Sequence, residues 1–173
     1  MMRLESGNVL DSQADALLLT IDGAKKGMEG NLVRQFDRRW HDDWDLIQRD
    51  IPYPLPLGRT IAIEWDGDCS WHWLLIASTL NHSDTFSDLE KIAVVRSAFH
   101  EALNHCHRLR LKSLATTIMR GGWRLTAEQA FGAMLSAWHA NPAKSDGLDI
   151  QIFVMNDVER DSMTMMLPKT LRN

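Results

Sequence analysis

The sequence predicts a layered α/β domain with a mainly parallel sheet, and three observations carry that expectation. Short continuous apolar runs recur along the chain, of the kind buried on both faces of a parallel sheet. Segments with apolar residues every three or four positions lie between them and read as helices. The 173 residues, 45% of them apolar, suffice for one such core and are too few for two well-buried ones.

Taken in order, the elements begin with a weak edge strand around Arg3 to Leu10. The run Asp15-Ala-Leu-Leu-Leu-Thr-Ile21 follows, closed by Asp22-Gly23. A helix is expected from about Gly30 to Trp40, ahead of a charged, tryptophan-containing stretch to Arg49. Pro52, Pro54 and Pro56 break any helix and make an extended connector. Thr60-Ile-Ala-Ile-Glu-Trp65 alternates as a half-exposed strand does. Trp73-Leu-Leu-Ile-Ala-Ser-Thr79 and Ser113-Leu-Ala-Thr-Thr-Ile-Met119 read as buried strands. Between these two, Leu89, Ile92, Val95, Phe99, Leu103, Cys106 and Leu109 mark one face of a helix over 88–109. Ser87 and Glu90 form a capping-box pattern at its start, and Thr126 and Gln129 do the same for the next helix. Ile150-Gln-Ile-Phe-Val-Met155 makes a late strand, and Asn156 with Glu159 repeats the capping signal before a final helix.

Composition removes several function classes. Nineteen Lys and Arg against 23 Asp and Glu leave a net charge of −4, which disfavours a groove holding nucleic acid by bulk positive field. Cys69 and Cys106 form neither a C-x-x-C pair nor a disulfide framework, so a reducing cytoplasm is expected. No signal-peptide pattern opens the chain, and no apolar run nears the ~20 residues that span a bilayer, so no membrane partner is expected. Among seven histidines, His105 and His107 point to different faces of a helix and no zinc spacing occurs; neither metal nor cofactor is expected. No G-x-S-x-G is present, and the acids flanking Cys69 raise a thiol pKa, which disfavours a nucleophile. Of the seven tryptophans, Trp40, Trp44, Trp71, Trp73 and Trp138 read as packing residues. The set around Trp40 and Trp44 is net acidic, unlike a platform for single strands.

Two glycine loops remain, Asp22-Gly-Ala-Lys-Lys-Gly-Met-Glu-Gly30 and Met119-Arg-Gly-Gly-Trp-Arg124. Each follows an apolar strand and leads toward a helix start, where ligands of such sheets lie. Glycine lets successive N–H groups turn toward an anion, and a helix N-terminus adds unpaired donors. Together they can hold a diphosphate without a basic surface, with Lys25, Lys26, Arg120 and Arg124 supplementing the amides. The same glycines can equally make tight strand-to-helix turns with no ligand. Neither loop is a P-loop, and the G-x-G-x-x-G fingerprint is absent.

The order of elements and several local motifs resemble the macro domain family, which binds ADP-ribose and related nucleotides. Gly7-Asn8-Val9 resembles the family's early Gly-Asp-Ile segment, and Asp15 to Asp22 resembles its Asp-Ala-Ile-Val-Asn-Ala-Ala-Asn strand. Gly27-Met-Glu-Gly-Asn-Leu-Val-Arg34 resembles the phosphate loop Gly-Val-Asp-Gly-Ala-Ile-His-Arg, and Ser113 through Gly122 resembles the second phosphate loop. Phe153-Val-Met-Asn-Asp157 resembles the last strand and the acidic start of the closing helix. The resemblance spans roughly residues 3 to 168 and implies a three-layer α/β/α fold with a mixed, mainly parallel sheet in a single domain.

It also implies a ligand site made of Asn8, Val9, Asp22, Gly27, Met28, Glu29, Gly30, Arg120, Gly121, Gly122, Trp123, Arg124 and Asn156. The departures bear on chemistry. The family's paired asparagines fall at Leu19 and Asp22, its adenine-facing acid at Asn8, and its stacking aromatic at Asn156. Binding without efficient turnover is therefore the first reading. A hydrolase of ADP-ribosyl groups or O-acetyl-ADP-ribose is the alternative, with Glu29 as base and Asp22 as its orienting partner. Glu29 can equally serve only to stabilise the positive N-terminus of the following helix. Trp123 can cap the ligand or pack on the core. A third reading keeps the fold as a scaffold for a protein partner.

Overall fold

A computed structural model describes residues 1–27, 30–81, 85–120, 125–142 and 147–168. Six strands form one sheet: β1 (Met2–Ser6), β2 (Ala16–Asp22), β3 (Thr60–Glu64), β4 (Trp73–Leu80), β5 (Ser113–Thr117) and β6 (Asp149–Val154). Their spatial order is β1-β6-β5-β2-β4-β3, and every neighbouring pair is parallel except β3 with β4. The helices are α1 (Asn31–Arg39), α2 (His41–Asp50), α3 (Asp88–Leu109), α4 (Ala127–Ala140) and α5 (Asp157–Met166).

The buried runs seen in the sequence are central strands because both faces are covered. Leu17, Leu19, Leu74 and Ile76 pack with Val33, Phe36, Trp44 and Ile47 of α1 and α2. Leu18, Leu75 and Ala77 pack on the other face with Phe99 and Leu103 of α3 and Phe131 and Trp138 of α4. Met163 of α5 joins that second cluster. The result is a three-layer α/β/α sandwich. The alternating run at Thr60 is the antiparallel edge strand, covered less completely, as its pattern implied.

Several boundaries differ from expectation. The first strand stops at Ser6, because Gly7 takes φ +125 and Asn8 then caps a 3₁₀ turn over Val9–Asp11. Strand β5 ends at Thr117 rather than Met119. The stretch after Trp40 is a helix in its own right, with Asp42 and Asp43 in its first turn, Arg49 in its last and Trp44 and Ile47 on the buried side. Leu89, assigned to the apolar face of α3, is 79% exposed; the cluster on that helix begins at Val95, with Ile92 half-buried against it. Both capping boxes form as expected, at Ser87–Glu90 and Thr126–Gln129. At α5 the Asn156 side chain accepts from the N–H groups of Val158 and Glu159, while Glu159 turns to Arg120.

The tryptophans on the α1–α2 face form a packed group. Trp40, Trp65 and Trp71 lie with Phe36 at ring-centroid separations of 4.9 to 6.0 Å, and the Arg39 guanidinium sits 4.7 Å from the Trp40 ring centre. Gly23, just past β2, permits a close crossing: a Cβ there would lie 2.0 Å from Ser78 Oγ and 2.2 Å from the Leu55 carbonyl oxygen.

Candidate functional site

Parallel strands end on the same side of the sheet, and their carboxyl ends open a cleft of about 920 Å³. Thr20 and Ile21 of β2, Thr79 and Leu80 at the end of β4, and Thr117 and Ile118 at the end of β5 form its floor. The segment Gly7–Val9 and residues Phe153, Val154 and Met155 form one end, and Gly30, Asn31 and Leu32 lie at the start of α1. This is where an open α/β sheet places ligands.

The α1 end suits an anion. Gly30 is the N-cap and supplies no side-chain hydrogen bond, and the first N–H to find an intrahelical carbonyl is that of Arg34, bonded to Gly30 O at 3.1 Å. The N–H groups of the turn before it have no intrahelical partner. Residues 31–33 carry no acid, while Arg34 lines the cleft and donates to Asn31 Oδ1 at 2.6 Å. The far end is apolar: Val9 is 2% exposed, and Phe153 packs beside it on the same cluster.

Across the mouth, Arg120 donates to Glu159 Oε1 at 2.8 Å and to the Leu125 carbonyl at 3.1 Å. Both Arg120 and Glu159 line the cleft. Thr79 is 1% exposed, and its hydroxyl has no hydrogen-bond partner among the described residues. A buried hydroxyl left so is costly, and a bound polar group would offset that cost.

Of the residues expected at the site, Asn8, Val9, Gly30 and Arg120 line this cleft together. Asp22 is 2% exposed at the end of β2, where its Oδ1 accepts from the Ala24 N–H at 2.8 Å, and it is not part of the cleft wall. Gly27 lies in the turn after β2, also off the wall. Asn156 is occupied in capping α5, and the aromatic at that end of the cleft is Phe153, three residues earlier. Met28, Glu29, Gly121, Gly122, Trp123 and Arg124 lie outside the described residues. Thr79, Phe153 and Arg34 line the cleft and are not among the residues expected at the site. Thr79 sits near the carboxyl end of a buried parallel strand, the position where such sheets present residues to ligands.

A second concavity of about 620 Å³ lies between β3 and α3. There the Thr60 N–H donates to Glu101 Oε2 at 2.5 Å, and His105 Nε2 lies 2.9 Å from the Thr60 carbonyl oxygen. Its main polar groups satisfy one another among the described residues. Among the described residues, no group of three or more His, Cys, Asp or Glu could hold a metal ion. No described helix is long and apolar enough to cross a membrane. Burial pushes the Cys106 thiol up to about 12, which keeps it protonated and unreactive.

Sheet order, layers and cleft together define a protein of the three-layer α/β/α class with an open cleft at the strand ends. More particularly, the fold is that of the macrodomains. The chain is similar to the macrodomain of DarG from Mycobacterium tuberculosis, with a TM-score of 0.72 at 18% identity over 90% of this chain and 99% of that one. It is similar to the macrodomain of DarG from Thermus aquaticus, with a TM-score of 0.71 at 18% identity over 89% and 98%. The Trypanosoma brucei macrodomain solved in complex with ADP-ribose gives a TM-score of 0.69 at 12% identity over 93% of this chain and 66% of that one. No protein-family model and no curated protein matches the sequence.

Proposed function

We propose that the chain binds ADP-ribose or a related adenine nucleotide in the cleft at the strand ends, without efficient turnover. The observation that carries this reading is the pairing of two unlike ends in one cleft: helix N-terminal donors at Gly30–Leu32 that have no intrahelical partner and an apolar wall at Val9 and Phe153. A diphosphate suits the first end, where backbone N–H groups and the helix dipole favour negative charge. A base and its ribose suit the second. The fold supports the same class, since a Trypanosoma brucei neighbour was solved in complex with ADP-ribose and again with ADP.

The described carboxylates favour binding without turnover, while Glu29, the candidate base, lies outside the described residues. Among the described residues the only acid lining the cleft is Glu159, and it is held by Arg120. The Asp22 carboxylate is turned into its own loop. Activating water at a ribose carbon needs a free carboxylate within hydrogen-bond reach.

Titration calorimetry with ADP-ribose, ADP and AMP tests the proposal, with product analysis on the same samples. Saturable heat with no product is expected. Absence of heat at millimolar ligand would refute nucleotide binding. If product does form, Glu29→Gln and Asp22→Asn should be assayed, and unchanged rates in both would exclude those residues from the reaction.

A further inference from the structure

The outer edge of β3 is half closed and half open. On its inner edge, Arg59 O accepts from the Ser78 N–H at 2.9 Å and the Trp65 N–H donates to His72 O at 3.0 Å. Backbone groups of alternate residues in an antiparallel ladder point to opposite edges. Those of Ile61 and Ile63 therefore face β4, and those of Thr60, Ala62 and Glu64 face outward. Helix α3 covers Thr60: its N–H donates to Glu101 Oε2, and its carbonyl oxygen lies 2.9 Å from His105 Nε2. Ala62 and Glu64 have no such cover among the described residues, and their N–H and C=O groups form an open template for another strand.

The charges beside this open stretch are complementary across a twofold axis. Arg108 lines the groove between β3 and α3 together with Ala62, whereas Glu64 ends the strand. Both charged residues are exposed, and neither is in an ion pair among the described residues. We propose that β3 is the seam of a symmetric dimer, pairing antiparallel with β3 of a second copy about an axis at Ile63. In that register Ala62 faces Glu64 of the second copy and the two exchange both backbone hydrogen bonds, while Thr60 keeps its contacts to α3. Each Glu64 carboxylate then lies across from Ala62, beside the Arg108 guanidinium of the opposite copy. The two Ile63 side chains, half-buried in the single chain, meet at the axis as a closely spaced pair. A register centred on Ala62 would set Thr60 against Glu64 and require Glu101 and His105 to leave, so the α3 contacts select the Ile63 register. The seam is short, so the dimer is weak and transient. Ile63 lies beside Leu74 near the start of β4, and the cleft is at that strand's other end, so both clefts stay open.

Sedimentation of the intact chain from micromolar to millimolar concentration reads the association, and the wild type should shift reversibly from monomer toward dimer. Ala62→Pro removes an outward N–H and crowds the seam without touching the β4 ladder, at a place where an edge strand tolerates proline. It should stay monomeric. Glu64→Arg is an exposed change that leaves the fold intact, and it sets a like charge against Arg108. It should weaken association roughly tenfold. Adding Arg108→Glu to Glu64→Arg swaps both charges and should restore pairing. A wild type that stays monomeric at millimolar chain overturns the proposal, and so does a dimer that persists in both Ala62→Pro and Glu64→Arg. A charge swap that fails to restore pairing overturns the Ile63 register.

Discussion

Arg120 and Glu159 meet at 2.8 Å across the mouth of the cleft, with side chains 45% and 35% exposed. An ion pair that open to water contributes at most about 1 kcal/mol to stability, so its larger effect is on charge at the site. Glu159 unneutralised would repel a diphosphate. Arg120→Ala should therefore weaken ADP-ribose several-fold, and Glu159→Gln should strengthen it by freeing the guanidinium. The double variant should return near the wild-type affinity. Calorimetry on the four proteins checks the cycle; a double variant as weak as Arg120→Ala alone would show that the loss comes from the missing guanidinium and not from the bared Glu159. His105 provides a second test at this scale. Its pKa is lowered, chiefly by burial, against the opposing hydrogen bond to the Thr60 carbonyl; Glu101 raises it, while Arg108 and Arg59 lower it further. The unfolded chain thus takes up its proton first as pH falls, and the folded state loses stability below the ordinary histidine range. Urea midpoints measured from pH 7.5 to 5.5 should fall, and His105→Gln should flatten that slope. An unaltered slope would place the titration elsewhere.

At the scale of elements, helix ends were the most legible feature of the chain. A capping box needs only two residues three apart, and both boxes formed because that geometry is local. Ser87→Ala should cost about 1 kcal/mol, read by chemical denaturation, with no effect on nucleotide affinity, since α3 does not reach the cleft. The second helix was less legible. Its sequence His41-Asp-Asp-Trp-Asp-Leu-Ile-Gln-Arg-Asp50 is so charged that only Trp44, Ile47 and Gln48 are buried, and this stripe is too narrow to stand out. The edge strand β1 was over-extended for a different reason. Val9 and Leu10 are buried, as in a strand, yet the positive φ at Gly7 redirects the chain into a 3₁₀ turn. Burial is readable from residue type; the dihedral that produces it is not.

The whole molecule explains why the cleft was only half visible. Continuous apolar strands announced a sheet with two covered faces, and that sheet is present. Strand order, however, is set by crossovers, and it brings Asn8 beside Val154 and Met155 from the opposite end of the chain. Local spacing therefore led to glycine loops, whereas the described wall is built largely of strand-end residues such as Thr79 and Phe153. The net charge of −4 acquires a positive meaning in this setting. An anion here would be met by backbone donors at Gly30–Leu32 and by the local guanidinium groups of Arg34 and Arg120, without a basic surface. An amide-resonance titration of the intact chain with ADP-ribose tests this account most directly. The account requires saturable shifts at Gly7–Val9, Gly30–Leu32, Thr79 and Phe153, with the groove around Thr60 and His105 silent. Shifts confined to that groove, or none at millimolar ligand, would contradict it.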